Sequence, residues 1–141
     1  MLLFLQTIFA QSVLEKRLIP EDYDKWSTLM QENLSPNGEW IAYKLRYNSG
    51  KDTAFVRNTA STKQYCYPDG NNIVFSENNR WLTVNQKNNI LLQNLITGEQ
   101  KKIDNVIKSD FIQGGKLLVL SIKNSITEDI LILNLGNDIL N

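Results

Sequence analysis

The sequence predicts an all-β protein made of repeated small antiparallel sheets, and three observations predict it. A ten-residue turn-and-strand pattern recurs, a β-rich run closed by asparagine follows each copy, and the strands after the turns are apolar on both faces. The copies are "LSPNGEWIAY" at 34–43, "FSENNRWLTV" at 75–84 and "FIQGGKLLVL" at 111–120, starting 41 and 36 residues apart. Each has an apolar anchor (Leu34, Phe75, Phe111), four turn residues, and a bulky apolar residue six places after the anchor: Trp40, Trp81 or Leu117. Self-similarity at a period of this size is the mark of a repeat architecture.

The turn comes first, because its chemistry survives where its letters change. Its last position is Gly38, Asn79 or Gly115, the residue types that best tolerate positive φ. In the first copy Ser35, Pro36, Asn37 and Gly38 fit a type I turn, with proline pre-set at the second corner and glycine able to reverse the chain at the fourth. The closing runs are "TAFVRN", "NILLQN" and "DILILN", ending at Asn58, Asn94 and Asn134. The second continues into "LITGEQKKI", where Thr97 and Gly98 suit a hairpin turn into a further strand.

The repeat is therefore about 36–41 residues of short antiparallel strands, close in size to one four-stranded blade of a β-propeller. A blade is covered on both faces by its neighbours, which explains the doubly apolar strand "WIAYKL". Trp40 and Ala42 face one neighbour while Ile41, Tyr43 and Leu45 face the other. A sandwich strand would instead leave one face wet and polar. Burying such side chains is worth roughly 1.5–3 kcal/mol each, so stacking is favoured. Three blades fill residues 34–141, with copies near 34–70, 71–105 and 106–141. Closed propellers have about four to eight blades, so the sequence predicts an incomplete ring, part of a longer protein.

Two segments precede the repeats. "LLFLQTIFA" is an uncharged apolar run too short to span a bilayer, ending in the small residue Ala10, and residues 1–12 read as a signal peptide directing export. Residues 13–33 form a predicted helical lead-in. Pro20 suits the first helical turn, Glu21, Asp22 and Asp24 suit the positive end of the dipole, and Trp26, Leu29 and Met30 would share one face.

Composition excludes several functions. With 42 % apolar and 21 % charged residues the chain is an ordinary globular sequence, and fifteen basic against fifteen acidic residues leave no electrostatic footprint for nucleic acid or anionic membrane. The single cysteine, Cys66, has no intrachain disulfide partner, and the chain has no histidine, so neither a metal site nor a cofactor is expected. Cys66 reads as a small half-buried residue between Tyr65 and Tyr67. The Gly-Gly-Lys at 114–116 lacks the rest of a phosphate loop and reads as turn chemistry. Glu128 and Asp129 are adjacent rather than spaced as catalytic carboxylates. Asn33-Leu34-Ser35 matches a glycosylation sequon and nothing more.

The order of leader, "DYDKW", "LSPNGEWIAY", "FSENNRWL" and "NLITGEQ" resembles the N-terminal region of the secreted bacterial prolyl oligopeptidase family over roughly residues 20–135. That family repeats S-P-D-G-K-type turns in a β-propeller. TolB-type exported propellers share the turn, and a periplasmic binding module for a protein or peptide partner is the alternative function. The resemblance implies that the propeller gates peptide access to a C-terminal α/β-hydrolase domain with a serine–histidine–aspartate triad. None of that triad maps here, since there is no G-x-S-x-G and no histidine to act as general base. The resemblance thus assigns this chain no catalytic residue, and the peptide substrates belong to the full enzyme.

Overall fold

The computed structural model describes residues 17–136, and apart from one helical turn its elements are antiparallel strands. The first sheet has four strands in sequence order: β1 (Ser27–Leu34), β2 (Trp40–Tyr47), β3 (Thr53–Asn58) and β4 (Gln64–Pro68). The second repeats this order with β5 (Asn71–Phe75), β6 (Trp81–Gln86), β7 (Asn89–Asn94) and β8 (Gln100–Asp104). The third holds β9 (Val106–Ile112), β10 (Leu117–Lys123) and β11 (Glu128–Asn134). Four strands were expected here too. Any strand beyond Gly136 would fall outside the described residues, as do the expected leader at 1–12 and its cleavage point.

The predicted helical lead-in over 13–33 is corrected by the structure. Among the described residues helix is confined to α1 (Pro20–Tyr23), where Asp22 pairs with Lys25 Nζ at 2.8 Å. Ser27–Leu34 is a strand paired to β2, with Leu29 opposite Leu45 and Leu34 opposite Ile41. Weak helical spacing loses here because β2 would otherwise carry an unpaired edge, and cross-strand pairing outweighs intrinsic propensity. The first sheet therefore begins at Ser27, not at Leu34.

Register makes the three sheets equivalent. Trp40 pairs with Asn58, Trp81 with Asn94 and Leu117 with Asn134. Side-chain alternation along a strand then sorts every position onto one of two faces. Trp40 and Ala42, on one face of the first sheet, meet Leu82 and Val84 of the second, in a core that also takes Ala54, Val56 and Tyr67. The opposite face of the second sheet, with Trp81, Ile90 and Leu92, meets Leu118 and Leu120 of the third. The second sheet is thus dry on both sides, with Trp81, Leu82, Thr83 and Val84 all essentially unexposed.

Ile41, Tyr43 and Leu45 lie on the other face of the first sheet, as alternation requires, but among the described residues no sheet covers them and they stay half-exposed. Cys66 shares that face and is exposed rather than half-buried. Leu117 is likewise half-exposed, on the uncovered face of the third sheet, whereas Leu118 and Leu120 are fully buried.

One buried polar contact crosses between the first two sheets. The Tyr67 hydroxyl donates to Gln93 Oε1, which also accepts from Gln100 Nε2 at 2.9 Å. Tyr67 is 2 % exposed, and burial, with smaller contributions from Tyr65 and Cys66, holds its phenol well above the usual tyrosine range. A tyrosine in the unfolded chain ionises near pH 10, so the folded state binds this proton more tightly. The stability it contributes is fully present below about pH 10 and is lost as the pH rises beyond it. Urea denaturation from pH 8 to 11 is expected to show stability falling above about pH 10, and Tyr67→Phe is expected to flatten that fall while costing about 1 kcal/mol at neutral pH.

Candidate functional site: the rim of linked turns

The repeated positions hold equivalent places in the three sheets: Gly38, Asn79 and Gly115 close the turns, and Trp40, Trp81 and Leu117 open the strands that follow them. In the first turn Gly38 N–H donates to the Ser35 carbonyl at 2.8 Å, and in the second Asn79 N–H donates to the Ser76 carbonyl at 3.0 Å. In the third Gly115 N–H donates to the Ile112 carbonyl at 3.1 Å. All three closing residues have positive φ: +74° at Gly38, +60° at Asn79 and +84° at Gly115.

The first two turns share a side-chain lock that their sequences spell as Ser-x-Asn-x-x-Trp. Ser35 Oγ accepts from Trp40 N–H at 3.0 Å and donates to Asn37 Oδ1 at 2.8 Å, and Asn37 Oδ1 also accepts from Glu39 N–H at 3.1 Å. Ser76, Asn78, Arg80 and Trp81 repeat the arrangement at 2.9, 2.7 and 3.1 Å. Both serines are buried, so the lock satisfies strand-entry amides that would cost roughly 1–3 kcal/mol each if left unpaired. The third turn has Ile112 and Gly114 at these positions and closes by backbone alone.

The turns are also tied to one another. Asn37 N–H donates to Asn79 Oδ1 at 2.9 Å, and Asn78 Nδ2 donates to the Gly115 carbonyl at 3.1 Å. Deeper in the stack, Asn33 Nδ2 donates to the Ile73 carbonyl at 3.2 Å, joining β1 to β5. The asparagine of the sequon therefore serves as a tie between sheets.

At the C-terminal ends of β3, β7 and β11, beside the rim, the closing asparagines act alike. Asn58 Oδ1 accepts from Ala60 N–H, Asn94 Oδ1 from Ile96 N–H and Asn134 Oδ1 from Gly136 N–H, at 3.1, 2.8 and 2.9 Å. The next residue returns to the rim: Thr59 N–H donates to the Glu39 carbonyl, Leu95 to Arg80 and Leu135 to Lys116, at 2.8–2.9 Å. This is an Asx turn used three times in one register.

The rim is a structural brace, and its chemistry is limited. Trp40 and Trp81 are 5 % and 0 % exposed and belong to the core, with Trp40 stacked on Tyr65 at 5.6 Å and Lys63 Nζ lying 5.7 Å above its ring. A cleft lined by Asn33, Ala42, Lys44, Ala54, Asn71 and Ile73 has a volume of about 10 Å3, room for one water. Among the described residues no three Asp, Glu or Cys side chains gather as a metal site, and no helix is long and apolar enough to cross a membrane.

Gly38 and Gly115 share a turn position but differ in surroundings. A Cβ on Gly38 would meet nothing within 4 Å, whereas one on Gly115 would lie 2.8 Å from Ser76 Cβ and 2.9 Å from Asn78 Oδ1. Gly38→Ala is expected to cost only the left-handed backbone penalty, about 1 kcal/mol. Gly115→Ala adds overlap with the neighbouring turn, about 1–3 kcal/mol more, so thermal or urea denaturation is expected to find it clearly the worse of the two.

No protein-family model matches the sequence, and no curated protein matches it. Solved structures do resemble the fold. The β-propeller domain of the Trilobed protease from Pyrococcus furiosus aligns with a TM-score of 0.57 at 17 % identity, over 77 % of this chain and 39 % of that one. Acylaminoacyl peptidase from Pyrococcus horikoshii aligns at 0.55 and 19 % identity, over 76 % of this chain and 19 % of that one. A eukaryotic initiation factor aligns at 0.56 and 11 % identity, over 78 % of this chain and 31 % of that one. The chain thus spans between 19 % and 39 % of the length of these structures. At such identities the likeness concerns architecture alone: stacked antiparallel sheets of the kind found in a β-propeller domain.

Proposed function

We propose that this chain is the non-catalytic propeller portion of a secreted prolyl-oligopeptidase-like serine peptidase, gating the access of peptides to an α/β-hydrolase domain that this chain does not contain. The observation that carries the proposal is the stack itself. Sheets joined through repeated Ser-x-Asn-x-x-Trp turns align with the propeller domains of two peptidases, and the sequence order from "DYDKW" through "SPNGEWIAY" resembles the same family. In this reading the described residues build wall and rim, and the chemistry resides in the hydrolase. Export rests on the apolar leader at residues 1–12.

A second reading has one observation in its favour. The initiation factor aligns as well as the peptidases do, so the likeness in fold does not by itself single out a peptidase, and the alternative is an exported propeller binding module displaying loops to a protein or peptide partner.

Sequencing the gene beyond the Asn141 codon separates the two. The peptidase reading predicts an in-frame hydrolase sequence with a G-x-S-x-G elbow and a later histidine. Further propeller copies followed by a stop would contradict it and support the binding module. The purified chain is expected to give no turnover of a proline-containing fluorogenic peptide, and turnover blocked by a serine-directed inhibitor would contradict its assignment as non-catalytic.

A further inference from the structure

The first turn contains a peptide bond that its own chemistry makes labile. Asn37–Gly38 is the one Asn-Gly step in the sequence. At such a step the glycine nitrogen, with no Cβ beside it to hinder approach, can attack the side-chain carbonyl carbon of the asparagine. The nitrogen gives up its proton and bonds to Cγ, the carboxamide nitrogen leaves as ammonia, and a succinimide ring forms. Water then opens the ring at either carbonyl, giving aspartate or isoaspartate, and neither step needs an oxidant or a reductant. The matching places in the other turns are Asn78–Asn79, where the attacking nitrogen belongs to a residue with a side chain, and Gly114–Gly115, where there is no carboxamide to lose.

The two residues that would react are the two that the lock holds. Gly38 N–H donates to the Ser35 carbonyl at 2.8 Å, so the attacking nitrogen is kept protonated and turned toward Ser35. Asn37 Oδ1 accepts from Ser35 Oγ at 2.8 Å and from Glu39 N–H at 3.1 Å, so the carboxamide cannot rotate freely. Ser35 is itself 3 % exposed and accepts from Trp40 N–H at 3.0 Å, which anchors the lock in β2. Hydrogen bonds onto Oδ1 also draw electron density from Cγ and favour attack. They do so only in the closed turn, where the nitrogen is engaged elsewhere, and release therefore has to come first.

We propose that Asn37 is a latent deamidation site and that the Ser35 lock keeps it unreacted in the folded chain. The two products differ in their consequences. Aspartate still offers an oxygen to Ser35 Oγ and Glu39 N–H and retains the lock. Isoaspartate adds a carbon to the backbone between positions 37 and 38, which displaces the Gly38 closure and makes a passing release of the turn permanent. Every bond of the lock lies within residues 35–40, so the protection does not depend on what covers the outer face of the first sheet. It is also independent of the peptidase proposal.

The full chain is aged in mildly alkaline buffer, folded and unfolded in guanidinium chloride, and Asn37 conversion is followed by peptide mass mapping that separates aspartate from isoaspartate. Asn48–Ser49 and Asn124–Ser125 serve as internal comparisons. In the unfolded chain Asn37 is expected to convert ahead of both, and in the folded chain to lose that lead. Ser35→Ala is expected to speed the folded-state conversion about tenfold, the equivalent of about 1.4 kcal/mol of lost hydrogen bonding. Ser76→Ala, which breaks the matching bonds of the second turn, is expected to leave it unchanged. Circular dichroism checks that the variants fold, and Ser35→Cys, a weaker donor, replaces Ser35→Ala if that variant does not. A folded chain in which Asn37 keeps its lead would overturn the proposal. So would a Ser35 variant that converts no faster, or an equal rise in the Ser35 and Ser76 variants, which is the signature of lost global stability rather than of the lock.

Discussion

A sheet that is apolar on both faces has to be covered on both, and in this protein that constraint falls on the second sheet. Trp81 and Thr83 point one way, Leu82 and Val84 the other, and all are essentially unexposed. At roughly 25 cal/mol per Å2 of apolar surface removed from water, exposing either face would forfeit several kcal/mol from a domain whose net stability is of order 5–15 kcal/mol. The first and third sheets are therefore required by the second. The stacked order of the molecule follows from the alternation in "WLTV".

Dry faces fix which sheets meet but do little to fix how far one slides over another, since dispersion and apolar burial are weakly directional. The rim supplies the direction. The Ser-x-Asn lock sets each of the first two turns, and the ties from Asn37 to Asn79 and from Asn78 to Gly115 set each turn against the next. Within the stack, Tyr67 and Gln93 add a buried polar contact that only one alignment satisfies. Burial also has an energetic cost, because Gln93 Nε2 and, in the other core, Trp81 Nε1 find no partner among the described residues. Apolar burial at the same sites offsets it.

Much of this was legible in the sequence because it rests on local chemistry. The positive-φ closing residues, the terminal asparagines and the doubly apolar strand all follow from residue type and spacing. What escaped depended on distant partners. Ser27–Leu34 lacks clean alternation and follows a proline and acidic residues that suit a helix start, so only its pairing with β2 reveals it as a strand. The lock was visible in principle, since serine and asparagine stand first and third in both "SPNG" and "SENN". Its ties between sheets join residues about 40 apart, and no local pattern predicts which atoms meet. Leu117 holds the same repeat position as Trp40 and Trp81. The register holds, but its face has no neighbouring sheet among the described residues.

The central claim is that the second sheet is the shielded middle of a stack, and native-state hydrogen exchange tests it most directly. Amides of Leu82–Val84 and Ile90–Leu92 are predicted to exchange slowest, through global unfolding, with those of Ile41–Leu45 and Ile130–Ile132 opening more readily. Equal protection in all three sheets, or slowest exchange in the first or third, would contradict it.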